Sequence, residues 1–338
     1  MTPTSVQKLP PAGLDPLKAT NLMLSNDALE LENNFGVSSD IKPPAAWADF
    51  YQRVLDERKG KATKSVNFTE VFQGNRYRCI LANSAKGYGI TMRKLLTVIP
   101  RLHEDLNLRW DVMEQLLFGT GLTLFAGQMG SGKSTTMIAA LEKLGAARRG
   151  PLGTVEDPIE VIFPGSGVIQ REVGTHVDSF AEAIRDCMRQ YRRTIMVGEI
   201  RDPETATAAV LAASSGHRVV GTLHAESAPD VIVRMRALLD PKFEAILPTV
   251  LSGIWWQHIV RFGDETRQPL PIYESLLVTQ TVRGMIEQDK LVMLPAEMKR
   301  QGRQTMMDTA LVHVNNRKAS KDELRQWLTS RGRVSDDT

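Results

Sequence analysis

Cysteine is nearly missing from this chain: Cys79 and Cys187 are the only two in 338 residues. A pair so far apart makes neither a CxxC motif nor a four-ligand zinc site, and so low a count fits a reducing cytosol better than a disulfide scaffold. No apolar run approaches 18 residues, and the first twenty residues lack the basic-then-apolar order of a signal peptide. The expectation is a soluble protein with nothing spanning a membrane, peripheral attachment remaining open. A long basic tract is also absent: 42 basic residues face 39 acidic ones, a net charge of +3 spread along the chain. Nucleic acid is therefore not the default partner. What is present is a hydrophobic fraction of 42% with 25 glycines, close to the globular norm, on a length that suggests two domains.

Six of the 17 prolines (Pro3, Pro10, Pro11, Pro16, Pro43 and Pro44) lie in the first 45 residues, which predicts an irregular segment there. Trp47, Phe50, Tyr51, Val54 and Leu55 then recur at helical spacing over Ala46 to Glu57. Ser65 to Phe72 and Arg76 to Ala82 alternate as a strand pair around Gln73-Gly74-Asn75. This small α/β region, 46–108, gives way at Trp110 to strands alternating with helices, the pattern of a parallel sheet with crossover helices. Leu122 to Ala126, Gly153 to Glu156, Thr194 to Val197 and Arg218 to Leu223 read as strands. Helices follow at Thr135 to Leu144, stopped by Gly145, at Ser179 to Arg189 behind a capping box, and after Asp202-Pro203 as far as Gly216. Beyond Asp230 the chain reads as helical, the Trp255-Trp256 pair included, with a last helix opened by Ser320 to Glu323.

Gly127-Gln128-Met129-Gly130-Ser131-Gly132-Lys133-Ser134 matches G-x-x-x-x-G-K-[ST] between a predicted strand and a predicted helix, the context this phosphate-binding loop requires. Its glycines let backbone N–H groups converge on phosphate oxygens at a helix N-terminus. Lys133 would reach the β and γ phosphates, and Ser134 would offer its hydroxyl to Mg²⁺; Thr135 completes the nucleotide-binding set. Carboxylates close two of the following strands: Glu156 with Asp157, and Glu199. They read either as solvated turn residues or as the groups that hold Mg²⁺ and orient water. His217 and His224 bracket one strand, as core histidines or as sensors of the γ-phosphate, and a shared metal is not expected of them.

Taken in order, these motifs resemble the secretion ATPases of type II and type IV secretion, conjugation and type IV pili. Val155-Glu156-Asp157-Pro158-Ile159-Glu160 is similar to that family's aspartate box, Val197-Gly198-Glu199-Ile200-Arg201-Asp202 to its Walker B segment, and Gly216-His217 with Gly221-Thr222-Leu223-His224-Ala225 to its histidine box. The resemblance implies an α/β fold, a RecA-like P-loop NTPase core over 109–338 behind a smaller N-terminal α/β, PAS-like domain. It further implies a homohexameric ATPase using ATP and Mg²⁺ on the cytoplasmic side of the inner membrane, with platform or secretion-channel proteins as partners and no direct nucleic-acid binding. By the same resemblance Glu199 and Glu156 act on water and Mg²⁺, Lys133 on the phosphates, and His217 and His224 as phosphate sensors. Arg76, Arg78 and Arg93 hold positions similar to the family's arginine fingers; the other reading of them is a solvated strand face. With no cysteine after Cys187 the zinc module of extension-type members is not expected, which favours the PilT-like, Dot/Icm or conjugative subgroup. Thr281-Val282-Arg283-Gly284-Met285-Ile286 resembles the retraction signature. Gln190 to Thr194 departs from the Asp-Pro-Asp run usual before Walker B. An ATP-dependent nucleic-acid translocase on the same core is the alternative, motivated by the arginines of Arg185 to Arg193.

Overall fold

A computed structural model describes residues 16–32, 37–61, 65–262 and 267–329. The chain divides into two compact units, Met1–Val98 with Phe262–Gln268, and Ile99–Arg261 with Pro269–Thr338.

In the first unit, apolar residues alternate along short strands and bury one face of an antiparallel sheet. Its strands are β1 (Asn21–Ser25), β2 (Leu29–Glu32), β3 (Val37–Ile41), β4 (Val66–Phe72), β5 (Asn75–Ser84) and β6 (Gly87–Lys94), in the spatial order β3-β2-β1-β6-β5-β4. Helix α1 (Ala45–Arg58) supplies Trp47, Phe50, Tyr51 and Val54 to a core shared with Leu22, Leu24, Leu29, Leu31, Tyr77, Cys79, Leu81, Ile90 and Met92. Gln73 and Gly74 turn the β4–β5 hairpin with φ of 48° and 75°, the positive pair that a two-residue turn of this hand needs.

This corrects the reading of the first 45 residues as irregular. Three strands lie between Asn21 and Ile41, and each offers only two or so alternations, too few to outweigh the prolines around them. Pro3, Pro10 and Pro11 fall outside the described residues. The division after Val98 also precedes the expected boundary at 108, because Leu102 and Leu108 are buried in the core of the second unit.

The second unit begins with α2 (Trp110–Leu116) and carries β7 (Gly121–Ala126), α3 (Lys133–Arg149), β8 (Leu152–Glu156), β9 (Val168–Glu172), α4 (Phe180–Arg189), β10 (Thr194–Val197), α5 (Pro203–Ser214), β11 (Arg218–Leu223), α6 (Ala228–Leu238), β12 (Leu251–Val260) and β13 (Leu270–Leu277). The sheet runs β13-β12-β7-β11-β10-β8-β9, parallel throughout except for β13. The helices start on the residues that predicted them. Ser179 accepts a hydrogen bond from the Glu182 N–H, and Asp202 from the Thr205 N–H at 2.8 Å. Gly145, at φ 75°, breaks α3 where the sequence stops it.

The all-helical reading beyond Asp230 is corrected by β12 and β13, and Trp255-Trp256 stands on a strand. Most of β12 is buried on both faces, so its apolar residues do not alternate with polar ones and a period of two is invisible. Trp255 stacks on Tyr273 of β13, ring centroids 4.3 Å apart. No helix among the described residues is long and apolar enough to cross a membrane.

Candidate functional site

Parallel strands deliver their C-terminal ends to one edge of the sheet, where each leads toward a helix N-terminus. At that edge β7 opens into the loop 127–132, and Lys133 begins α3. The loop glycines are required by shape: Gly127, Gly130 and Gly132 have φ of 150°, 73° and 76°. A Cβ on Gly127 would stand 2.2 Å from the Gln257 carbonyl oxygen, and one on Gly132 2.8 Å from Ile259 Cδ1. The loop is thus a cradle that side chains at these two positions would distort, which suits a phosphate held by backbone N–H groups. Gln128 donates to both carboxylate oxygens of Glu226, at 3.0 and 2.9 Å, while Met129 is exposed. Ser134 and Thr135 lie half-buried in the first turn of α3.

Lys133 is buried, and its Nζ lies 3.4 Å from His224 Nε2. The same Nε2 lies 3.1 Å from Glu199 Oε1. Burial, then the Lys133 ammonium, holds the His224 pKa below its ordinary value, against the pull of Glu199. A neutral ring has one state at Nε2, either a proton to give to Glu199 or a lone pair to accept from Lys133. His224 therefore serves one of these partners at a time.

The structure brings Lys133, His224 and Glu199 together and sets Glu156 and His217 apart. Glu156 ends β8, three strand positions from β7, or about 14 Å at ordinary strand spacing. It is 3% exposed and accepts from Thr154 Oγ1 at 2.6 Å, Gln170 Nε2 at 3.1 Å and the Glu160 N–H at 3.2 Å. Burial pushes its carboxyl up to about 7, although those hydrogen bonds oppose the rise. A Cβ on Gly198 would meet Glu156 Cα at 3.2 Å, so Glu156 packs beneath the turn that presents Glu199. A Mg²⁺ ligand shared with Ser134 does not follow from this placement.

His217 precedes β11 and His224 follows it, so roughly 23 Å of strand separates them. His217 Nδ1 lies 3.1 Å from the Ala212 carbonyl oxygen, and the His217 carbonyl accepts from the Gly121 N–H at the start of β7. Of the two histidines expected as phosphate sensors, only His224 reaches the loop edge within one chain, and His217 stands at the opposite end of β11. Arg76, Arg78 and Arg93 belong to the first unit. Each alternates with a buried neighbour, Tyr77, Cys79 or Met92, and Arg78 pairs in register with Arg93. All three therefore share the sheet face opposite the core. Sequence reading missed the residues on and just after β12 that touch the loop, Gln257, Ile259 and Arg261. The one available signal was a glutamine inside a run of tryptophan and isoleucine, and the helical assignment hid it.

Residues 96–333 match the family described as type II/IV secretion system protein. The type IV pilus retraction ATPase PilT of Pseudomonas aeruginosa is 31% identical over 225 residues, covering 65% of this chain and 64% of that one. Type II secretion system protein E of Pectobacterium carotovorum is 44% identical over 154 residues, 45% of this chain but 30% of that relative's length. Among solved structures, the pilus retraction motor PilT with bound ADP aligns with TM-score 0.74 at 28% identity, covering 89% of this chain and 90% of that chain. The Legionella pneumophila ATPase DotB aligns with TM-score 0.77 at 22% identity, covering 93% and 92%, a likeness of fold. The RecA-like core expected from the motifs is the fold observed.

Proposed function

The chain belongs to the type II/IV secretion system protein family, and from that footing we propose that it is an ATP-hydrolysing motor. It works as a homohexamer at the cytoplasmic face of the inner membrane, on the platform or channel proteins of a type IV secretion, conjugation or retracting-pilus machine. The observation that carries the reading is the chain of side chains Lys133–His224–Glu199 at the mouth of a glycine-cradled loop. The relative that supports the retraction-type reading is PilT, at 31% identity over about two thirds of both chains.

The donor set suits Mg²⁺, which takes few protein oxygens and shares phosphate ligands. Ser134 Oγ and the Glu199 carboxylate would hold it, and it would neutralise charge building on the phosphates. The loop N–H groups and Lys133 bind and orient the β and γ phosphates. With Lys133 so engaged, His224 Nε2 is released to donate to Glu199 Oε1. That contact fixes the carboxylate, which takes the proton of the attacking water. Glu156 supports the Gly198 turn from below and sets where Glu199 stands. Arg76, Arg78 and Arg93, on the sheet face opposite the core, supply positive charge to the nucleotide of a neighbouring subunit.

Phosphate release at saturating Mg·ATP tests the reading. Wild-type protein should turn over ATP, and Glu199→Gln should lose about 10²- to 10⁴-fold in kcat while still binding ADP. Wild type that releases no phosphate above background, or Glu199→Gln that keeps wild-type turnover, would overturn it.

A further inference from the structure

Strand β12 runs parallel beside β7, in register at Trp256 and Ala126. Past that point β7 becomes the phosphate-binding loop, whereas β12 continues for several residues. Residues i, i+2 and i+4 of a strand point the same way, so Gln257 and Ile259 of the overhang continue the series of Trp255, and Arg261 follows directly after the end of β12. Gln257 is fully buried and donates from Nε2 to the Ser131 carbonyl at 2.6 Å. Its other end, Oε1, accepts from Trp255 Nε1 at 2.8 Å, so the amide orientation is set from both sides. Ile259 fills the space that a side chain on Gly132 would need. Arg261 donates from Nη2 to the Gly130 carbonyl at 3.1 Å. The Gln257 main-chain oxygen lies against Gly127.

A loop that binds anions must turn its N–H groups inward and its carbonyl oxygens outward. Two consecutive carbonyls, those of Gly130 and Ser131, are each held by a side-chain donor, Arg261 just past the end of β12 and Gln257 within it. We infer that the β12 overhang is a mould for the phosphate-binding loop, with Gln257 its chief positioning residue and Arg261 a weaker one. Neither residue touches the reacting atoms. They act by holding the loop in its binding shape before nucleotide arrives, so that nucleotide does not have to supply the cost of ordering it. The Trp255–Tyr273 stack extends the support into the core. The inference rests on the reading of this loop as the nucleotide site.

Gln257→Met keeps the side-chain length and removes the donor, and Arg261→Ala removes the exposed one. Equilibrium binding of fluorescent ADP and the KM and kcat for ATP are measured for both, with thermal melting as a check on folding. Leaving a buried carbonyl unpaired predicts a Kd and KM raised about tenfold for Gln257→Met. Arg261→Ala should raise them two- to threefold, with kcat changed less than KM in both variants. A melting protein whose ADP affinity equals that of wild type in both variants contradicts the mould. If Gln257→Met does not fold, Arg261→Ala decides alone, and unchanged affinity there overturns the inference. Wild-type protein that binds no ADP would instead sink the reading of the site itself.

Discussion

The two ends of one sheet differ in charge and in chemistry. Its C-terminal edge gathers Glu156, Glu199, His224 and Lys133; its N-terminal edge gathers His217, Arg193 and Arg218 with Arg148 and Arg149 from the end of α3. At the N-terminal edge, Arg218 donates to the Arg148 carbonyl and to Thr194 Oγ1, both at 3.2 Å. It thereby satisfies one carbonyl at the end of α3, where a cation also complements the helix dipole. At the C-terminal edge the dipoles run the other way, and the start of α3 offers positive potential to an anion. One histidine-containing motif straddles both edges. Adjacency in a motif is thus no measure of adjacency in space, and the strand between two residues decides whether they can act on one ligand.

The sharpest way to break this contrast is to remove each histidine in turn. His224→Ala should lower kcat for ATP by about tenfold or more, because Glu199 loses the donor that fixes it. His217→Ala should leave kcat within about twofold and cost no more than roughly 1 kcal/mol of stability through its bond to Ala212. Equal losses of kcat in steady-state assays of the two variants would erase the distinction between the edges.

A smaller effect concerns Glu156, the buried carboxyl of the C-terminal edge. Its pKa rises from 4.5 in the unfolded reference to about 7 in the fold, by burial. The folded chain thus binds the proton more tightly, so this contribution to stability is fully present below pH 4.5 and is lost as pH rises through 7. Glu156→Gln is neutral at every pH. It should melt several degrees higher than wild type at pH 8, an upper limit of about 3 kcal/mol, and nearly level with it at pH 4. A difference in Tm that does not change between these pH values would mean that the wild-type carboxyl titrates normally.

The same contrast explains how much could be read in advance. The strands β7, β8, β10 and β11 were legible because each is a short apolar run, and the starts of α4 and α5 because Ser179 and Asp202-Pro203 cap them. Lys133 was legible from the G-x-x-x-x-G-K-[ST] motif in its strand-to-helix context, and Glu199 from its place after a short apolar strand and its likeness to a Walker B segment. The strands between Asn21 and Ile41 were lost because prolines flank only brief alternation. Burial of most of β12 removed its period, and Gln257 went with it. The separation of His217 from His224 was available from strand length, whereas the donors around Glu156 come from Thr154, Gln170 and Glu160, whose meeting depends on how β8, β9 and the turn after Glu156 fold together.

Hydrogen–deuterium exchange with and without Mg·ADP tests the central claim most directly, since it reads both edges of the sheet in one sample. The account predicts slowed exchange over residues 127–135 and around His224, with no change at 148–153, 192–194 and 217–218. Protection at those arginine-bearing segments, or none at 127–135 under saturating nucleotide, would contradict it.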